Sequence, residues 1–139
     1  MPAKSYDELK VNIRIKLAAL WTALMFFYIY GDYFKLYIPD ETGKLVSGDT
    51  LLDSPYKLFA ASVMLALPPI AIILSVLAKA SFARMVNIIF GLFFTAIMLL
   101  IAFTSIGEWW IAYTFYAIVE SVITGYIVFI AWTWPSAGK

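Results

Sequence analysis

The chain predicts an all-α, polytopic membrane protein: an antiparallel bundle of four transmembrane helices. Three observations carry this. Hydrophobic residues make up 63% of the 139 and charged residues only 14%, with a mean hydropathy of +0.88. A soluble domain carries about 25% charge, and a chain this short has too much surface to hide so many apolar side chains in its own core. Four stretches reach the roughly 20 apolar residues that cross a bilayer. Strands are not expected, because a membrane barrel needs about eight or more alternating segments of roughly 10 residues.

The elements follow in order. Ser5, Tyr6, Asp7 and Glu8 fit a capping box. Residues 5–16 read as an interfacial helix, with Leu9, Ile13 and Leu17 on one face and Lys10 and Arg14 turned away. A disordered basic leader is the alternative. The long basic lead and the lack of a small-residue cleavage site argue against a cleaved signal peptide. The first span covers about residues 17–38 and ends at the turn chemistry of Pro39, Asp40, Glu41, Thr42 and Gly43. Residues 39–54 form an external loop carrying Asp40, Glu41, Asp49 and Asp53. Ser54 followed by Pro55 is an N-cap with proline at the first helical position, opening a second span over residues 56–78. The third span, residues 84–106, follows a connection of about six residues around Lys79 and Arg84, short enough to force an antiparallel hairpin. Gly107 and Glu108 link it to a fourth span, residues 109–134, which Pro135 stops. The whole chain, residues 1–139, is one domain.

Orientation follows from lysine and arginine. Lys4, Lys10, Arg14, Lys16, Lys79, Arg84 and Lys139 fall on one side; Lys35, Lys44 and Lys57 fall on the other. This asymmetry places both termini in the cytoplasm and makes the protein a multi-pass protein of the cytoplasmic (inner) membrane. Trp132 and Trp134 mark the inner interface; Tyr33, Tyr37, Tyr56, Trp109 and Trp110 mark the outer one.

Histidine and cysteine are both absent. That excludes disulfides, Cys/His zinc sites, haem ligation through those residues, thiol redox chemistry and imidazole acid–base catalysis. No metal, cofactor or enzymatic activity is expected. A net charge of +1 gives no basic field for nucleic acid. The expected partners are the lipid bilayer and, because four helices make a thin bundle, a second copy in a homodimer or a larger membrane complex.

Few polar groups fall inside the spans, and they carry the functional reading. Glu120 sits near the midplane, where a carboxylate costs roughly 2.5–3.5 kcal/mol on insertion scales. It should face the bundle interior, with Tyr28, Thr95 or a water as partner, and desolvation favours its protonated form. Tyr113, Tyr116, Glu120 and Thr124 share one helical stripe. Pro68 and Pro69 lie at the same depth; they remove two backbone donors, push away the carbonyls of Met64 and Leu65, and should kink the second helix. Asp32 can either pair with Lys35 at the outer interface or, with Tyr28, line the outer part of a polar path to Glu120. Asn87, Gly91 and Thr95 form a small, polar stripe that reads first as close helix packing. An aromatic cavity around one acid would suit a lipophilic cation. The candidate site is therefore Glu120, Asp32, Tyr28, Tyr116, Thr124 and Thr95, beside the kink at Pro68 and Pro69.

The stretches Lys16-Leu17-Ala18-Ala19-Leu20-Trp21, Tyr28-Ile29-Tyr30-Gly31-Asp32-Tyr33-Phe34, Leu52-Asp53-Ser54-Pro55, Asn87-Ile88-Ile89-Phe90-Gly91 and Glu120-Ser121-Val122-Ile123-Thr124 give the chain its resemblance. It resembles a family of small, uncharacterised bacterial four-helix membrane proteins, a domain of unknown function, over nearly its whole length. By topology alone it is similar to DoxX-like four-helix proteins. The resemblance implies the architecture and no activity. Two functions compete. One is a proton-coupled carrier of a small or lipophilic solute, built around Glu120. The other is a non-catalytic subunit or assembly factor of a larger membrane complex, in which Glu120 is hydrogen-bonding glue between helices.

Overall fold

The computed structural model describes residues 9–136. The capping box at Ser5–Glu8 lies outside them. Four long helices dominate: α1 (Ile13–Lys35), α3 (Pro55–Leu77), α4 (Ala80–Thr104) and α5 (Ile111–Trp132), with a short α2 (Glu41–Ser47) after α1 and a 3₁₀ turn (Glu108–Trp110) before α5. All four long helices are apolar and long enough to cross a membrane. The protein is an all-α, polytopic membrane bundle.

The boundaries differ from the sequence expectation in ways that local chemistry explains. Residues 9–12 are not helical. Asn12 is the N-cap of α1, its side chain accepting from the Arg14 amide at 2.9 Å. Arg14 and Lys16 thus belong to the spanning helix itself, because the backbone stays helical through the interface where hydropathy has already fallen. The expected loop over residues 39–54 contains α2. Asp40 precedes it with a φ of 67°, a left-handed turn that aspartate tolerates, and Gly48, at φ 78°, ends it. Thr42 Oγ1 donates to the Leu36 carbonyl at 2.6 Å and ties α2 to the end of α1. Ser54 caps α3 and Pro55 occupies its first position, as the sequence predicts. Only Ala78 and Lys79 separate α3 from α4, a tighter hairpin than the six residues expected.

The long helices form a ring. α1 packs against α3 and α5, and α4 closes it against the same two. With these connections every neighbour is antiparallel. One end of the bundle gathers the start of α1, the end of α3, the start of α4 and the end of α5. Two arginines there satisfy carbonyls that a helix end leaves unpaired. Arg14 donates to the carbonyls of Ala78 at 2.6 Å and Val76 at 3.1 Å, closing α3. Arg84 donates to Ala131 and Trp132, each at 3.1 Å, closing α5. A cation is favoured at a helix C-terminus in any case.

The interior is thin. Leu17, Trp21, Leu24, Tyr28 and Gly31 form the buried stripe of α1, at the spacing of one helical face. Trp21 meets Phe94 edge-on with ring centroids 5.9 Å apart. Phe26, Ile73, Leu100 and Phe129 point outward and are more than half exposed, as side chains bathed in lipid are. The α4–α5 seam is close: a methyl group on Gly91 would stand 2.6 Å from Val128 Cγ2. This matches the packing role expected of that stripe. Asn87 does more than pack. Fully buried, it accepts from Trp21 Nε1 at 2.8 Å and donates to Ser75 Oγ at 2.9 Å and to the Ala83 carbonyl at 2.8 Å. One amide thereby joins α1, α3 and α4.

Candidate functional site

Further along the bundle, toward the α2 end, the four long helices enclose a cavity of about 160 Å³. Each contributes to its wall. α1 supplies Tyr28, Gly31 and Asp32; α3 supplies Met64 and Leu65; α4 supplies Phe94, Ile97, Met98 and Ile101; α5 supplies Tyr113, Tyr116, Ala117 and Glu120. The wall arises from helical periodicity. Tyr28, Gly31 and Asp32 continue the buried stripe of α1 at i, i+3 and i+4, as Tyr113, Tyr116, Ala117 and Glu120 do on α5.

Glu120 lies about 14 Å into α5 by helical rise and is only 5% exposed. It faces the interior, as a carboxyl in a membrane helix must. Two of its expected partners are absent. Thr95 Oγ1 donates to the Gly91 carbonyl or to Thr124 Oγ1, 2.8 Å away, and Tyr28 Oη has no hydrogen-bond partner among the described residues. Gly31 leaves the approach from α1 open: a methyl group there would come 3.9 Å from Glu120 Oε1.

Asp32 sits at the mouth of the cavity, exposed on one side and lining the cavity on the other. It forms no ion pair among the described residues, so the Lys35 partnership is not made. Lys35 instead reaches Glu41 at 3.9 Å, and its ammonium lies 5.8 Å from the Trp110 ring centre and 5.7 Å from that of Tyr113. The α2 helix, unforeseen in the sequence, presents Glu41 to Lys35 as well as to Lys44, which it meets at 2.8 Å. Asp32 thus lines the same cavity as Glu120.

The structure gathers four of the six predicted site residues around one cavity: Glu120, Asp32, Tyr28 and Tyr116. Thr95 and Thr124 are not part of it. Thr124 also lies 2.9 Å from the Glu120 carbonyl oxygen, and the two hydroxyls clasp α4 to α5 a turn beyond the acid. Threonine satisfies itself on the carbonyl four residues back, so helical spacing alone does not aim it at the acid. Tyr113, Gly31, Phe94 and Met98 join the wall without having been singled out as site residues. Tyr113 stands on the predicted stripe, whereas an apolar wall residue looks like core in a sequence. Pro68 is buried and α3 stays helical through both prolines. The residues whose carbonyls lose a donor to them, Met64 and Leu65, line the cavity.

The arrangement is two carboxyls and three tyrosines in an otherwise apolar chamber. Two ionised carboxylates in a low-dielectric space repel, and one proton or one cation relieves that. No group of three metal-ligating side chains occurs among the described residues. No curated protein and no solved structure matches the chain. A family match covers residues 5–138, and the chain belongs to that family, a family of unknown function (DUF6326).

Proposed function

We propose that this protein is a proton-coupled carrier of a small or lipophilic solute, with Glu120 as the proton-binding group, and that it is not an enzyme. The observation that carries the reading is a cavity walled by all four helices that reaches a buried Glu120, whose carboxyl makes no ion pair or side-chain hydrogen bond among the described residues. An intramembrane acid facing a cavity is the usual mark of a proton or ion path. The alternative, a subunit whose Glu120 is glue between helices, asks the carboxyl to bond a neighbouring helix. That task is performed elsewhere, by Asn87 and by the Thr95–Thr124 pair. Seven basic residues against three favour an inner-membrane placement with both termini cytoplasmic. An externally added thiol reagent should then label Lys44→Cys and spare Lys79→Cys.

The test is proton flux in proteoliposomes loaded with a pH dye, under an imposed pH gradient and with cationic, neutral and anionic solutes in turn. Wild type should move protons with at least one solute class, and Glu120→Gln should not, while unfolding at the same temperature. Glutamine keeps the shape and the hydrogen-bonding capacity, so a purely structural Glu120 predicts equal behaviour of the two. Equal flux in both proteins, or none in wild type, overturns the carrier.

A further inference from the structure

Resting on the carrier reading, we propose that the cavity takes a small organic ammonium ion, held by the Glu120 and Asp32 carboxylates and by the rings of Tyr28 and Tyr116. The ion enters in exchange for a proton on Glu120.

Charge decides the sign of the ligand. The titratable groups facing Glu120 are Tyr28 and Asp32 from α1 and Tyr113 and Tyr116 from its own helix; the wall residues of α3 and α4 contribute none. Among the described residues, no lysine or arginine lines the cavity. Lys35, the basic group one turn from Asp32, is engaged with Glu41 and with the rings of Trp110 and Tyr113. An anion in the cavity would meet two acids, with the nearest ammonium, Lys35, set behind the Tyr113 ring.

Composition decides between organic and inorganic. Two carboxyls fall well short of the six to eight oxygens that hold calcium, or the near-octahedral oxygen shell of magnesium. Aromatic faces and the thioethers of Met64 and Met98 suit a diffuse, weakly hydrated cation. The protein already places cations on rings of this kind: Lys35 over Tyr113, and Arg14 over Trp134 at 5.7 Å.

Volume decides the size. The cavity, at about 160 Å³, is close to the roughly 150 Å³ that accommodates benzene in an engineered protein cavity. That admits a cation of about six or seven heavy atoms. Tyr28 Oη, on a side chain 8% exposed and without a partner among the described residues, is a polar anchor for the ligand to satisfy. An N–H or hydroxyl on the ligand completes it. Proton exchange follows from charge balance. With the cavity empty, neutralising one carboxyl by a proton removes the repulsion between two bare carboxylates. A bound monocation supplies the same unit of charge, so the proton leaves as the cation arrives.

The experiment is calorimetric titration of the detergent-solubilised full chain with choline and with 3,3-dimethylbutan-1-ol, which has the same shape and no charge, after subtraction of protein-free micelles. Choline should bind at least tenfold more tightly than the alcohol. Its affinity should rise with pH, by up to tenfold per unit, and the heat should vary with buffer ionisation as one proton is released. Glu120→Gln should lose the pH dependence. Tyr28→Phe, which removes one oxygen and leaves the ring, should fold and bind choline more weakly with the pH dependence intact. Equal affinity for choline and the alcohol, no binding of either, or choline binding without proton release overturns the proposal. The two ideas fail separately. Proton flux driven only by neutral or anionic solutes keeps the carrier and discards the cation; choline binding without any flux keeps the cation site and discards the carrier.

Discussion

Gly31 of α1 lies against Glu120 of α5, with no side chain between the α1 backbone and the carboxyl. A methyl group placed on Gly31 would meet Tyr116 Cβ at 3.8 Å and Glu120 Oε1 at 3.9 Å, ordinary contact distances. Gly31→Ala should therefore fold as wild type does and only narrow the cavity. Gly31→Leu puts its branch into the cavity itself. We expect it to lose choline binding and proton flux while costing no more than about 1–3 kcal/mol of stability. Retained binding in a folded Gly31→Leu protein would place the ligand elsewhere.

Gly91 tests the opposite situation, a contact with no space. Its added methyl would stand 2.6 Å from Val128 Cγ2 and 3.3 Å from the Thr124 carbonyl oxygen. Gly91→Ala should destabilise by about 1–3 kcal/mol through overpacking, despite the roughly 1 kcal/mol by which alanine favours a helix over glycine. Val128→Ala removes the closer clash, so the double variant should recover most of the loss in detergent thermal unfolding. If Val128→Ala fails to rescue, the seam is not limited by that methyl group.

The loop helix α2 gives a pH prediction outside the membrane. Glu41 accepts from the Lys44 ammonium at 2.8 Å, and this hydrogen bond holds its carboxyl below the ordinary glutamate value. A depressed folded value means that the pair's stabilisation is present above the unfolded value and fades as pH falls through the folded one. Both groups meet solvent, so the effect on stability is small. The Glu41 side-chain resonance should titrate at lower pH than that of a free glutamate, and Lys44→Gln should move it upward. An unchanged midpoint in Lys44→Gln would mean that the pair does not persist in solution.

The four spans were legible because apolar runs of that length have one stable solvent, and the hairpin and Ser54–Pro55 signals fixed how they join. α2 was not, because Asp40 to Gly43 reads as turn chemistry and the helix buries nothing that would show as a periodic pattern. That Glu120, Asp32, Tyr28 and Tyr116 gather around one cavity was legible because polar groups are costly in lipid and their spacing puts each set on one face. Which hydroxyls reach the acid was not. Thr95 and Thr124 satisfy one another across a seam that only the three-dimensional packing reveals. The contact of Lys35 with Glu41 likewise depends on an unforeseen helix. The hardest contact to foresee is that between Trp21 and Asn87, 66 residues apart.

That contact supports the last prediction. Asn87 uses its carbonyl oxygen for Trp21 and its amide for Ser75 and Ala83, all within 2.9 Å and all fully buried. Leucine has similar volume and none of these partners. Asn87→Leu leaves the Trp21 indole N–H without an acceptor in an apolar interior, which costs about 1–3 kcal/mol. Ser75 suffers less, because its hydroxyl already donates to the Ala71 carbonyl at 2.6 Å. The variant should therefore unfold at lower temperature and show altered tryptophan fluorescence, and Trp21→Phe in the same chain should cancel part of the loss by removing the stranded donor. Coupling between the two positions, read from the double-mutant cycle, distinguishes this from simple mispacking. If Asn87→Leu and Trp21→Phe add independently, the indole–amide bond contributes nothing measurable, and the α1–α4 contact rests on shape alone.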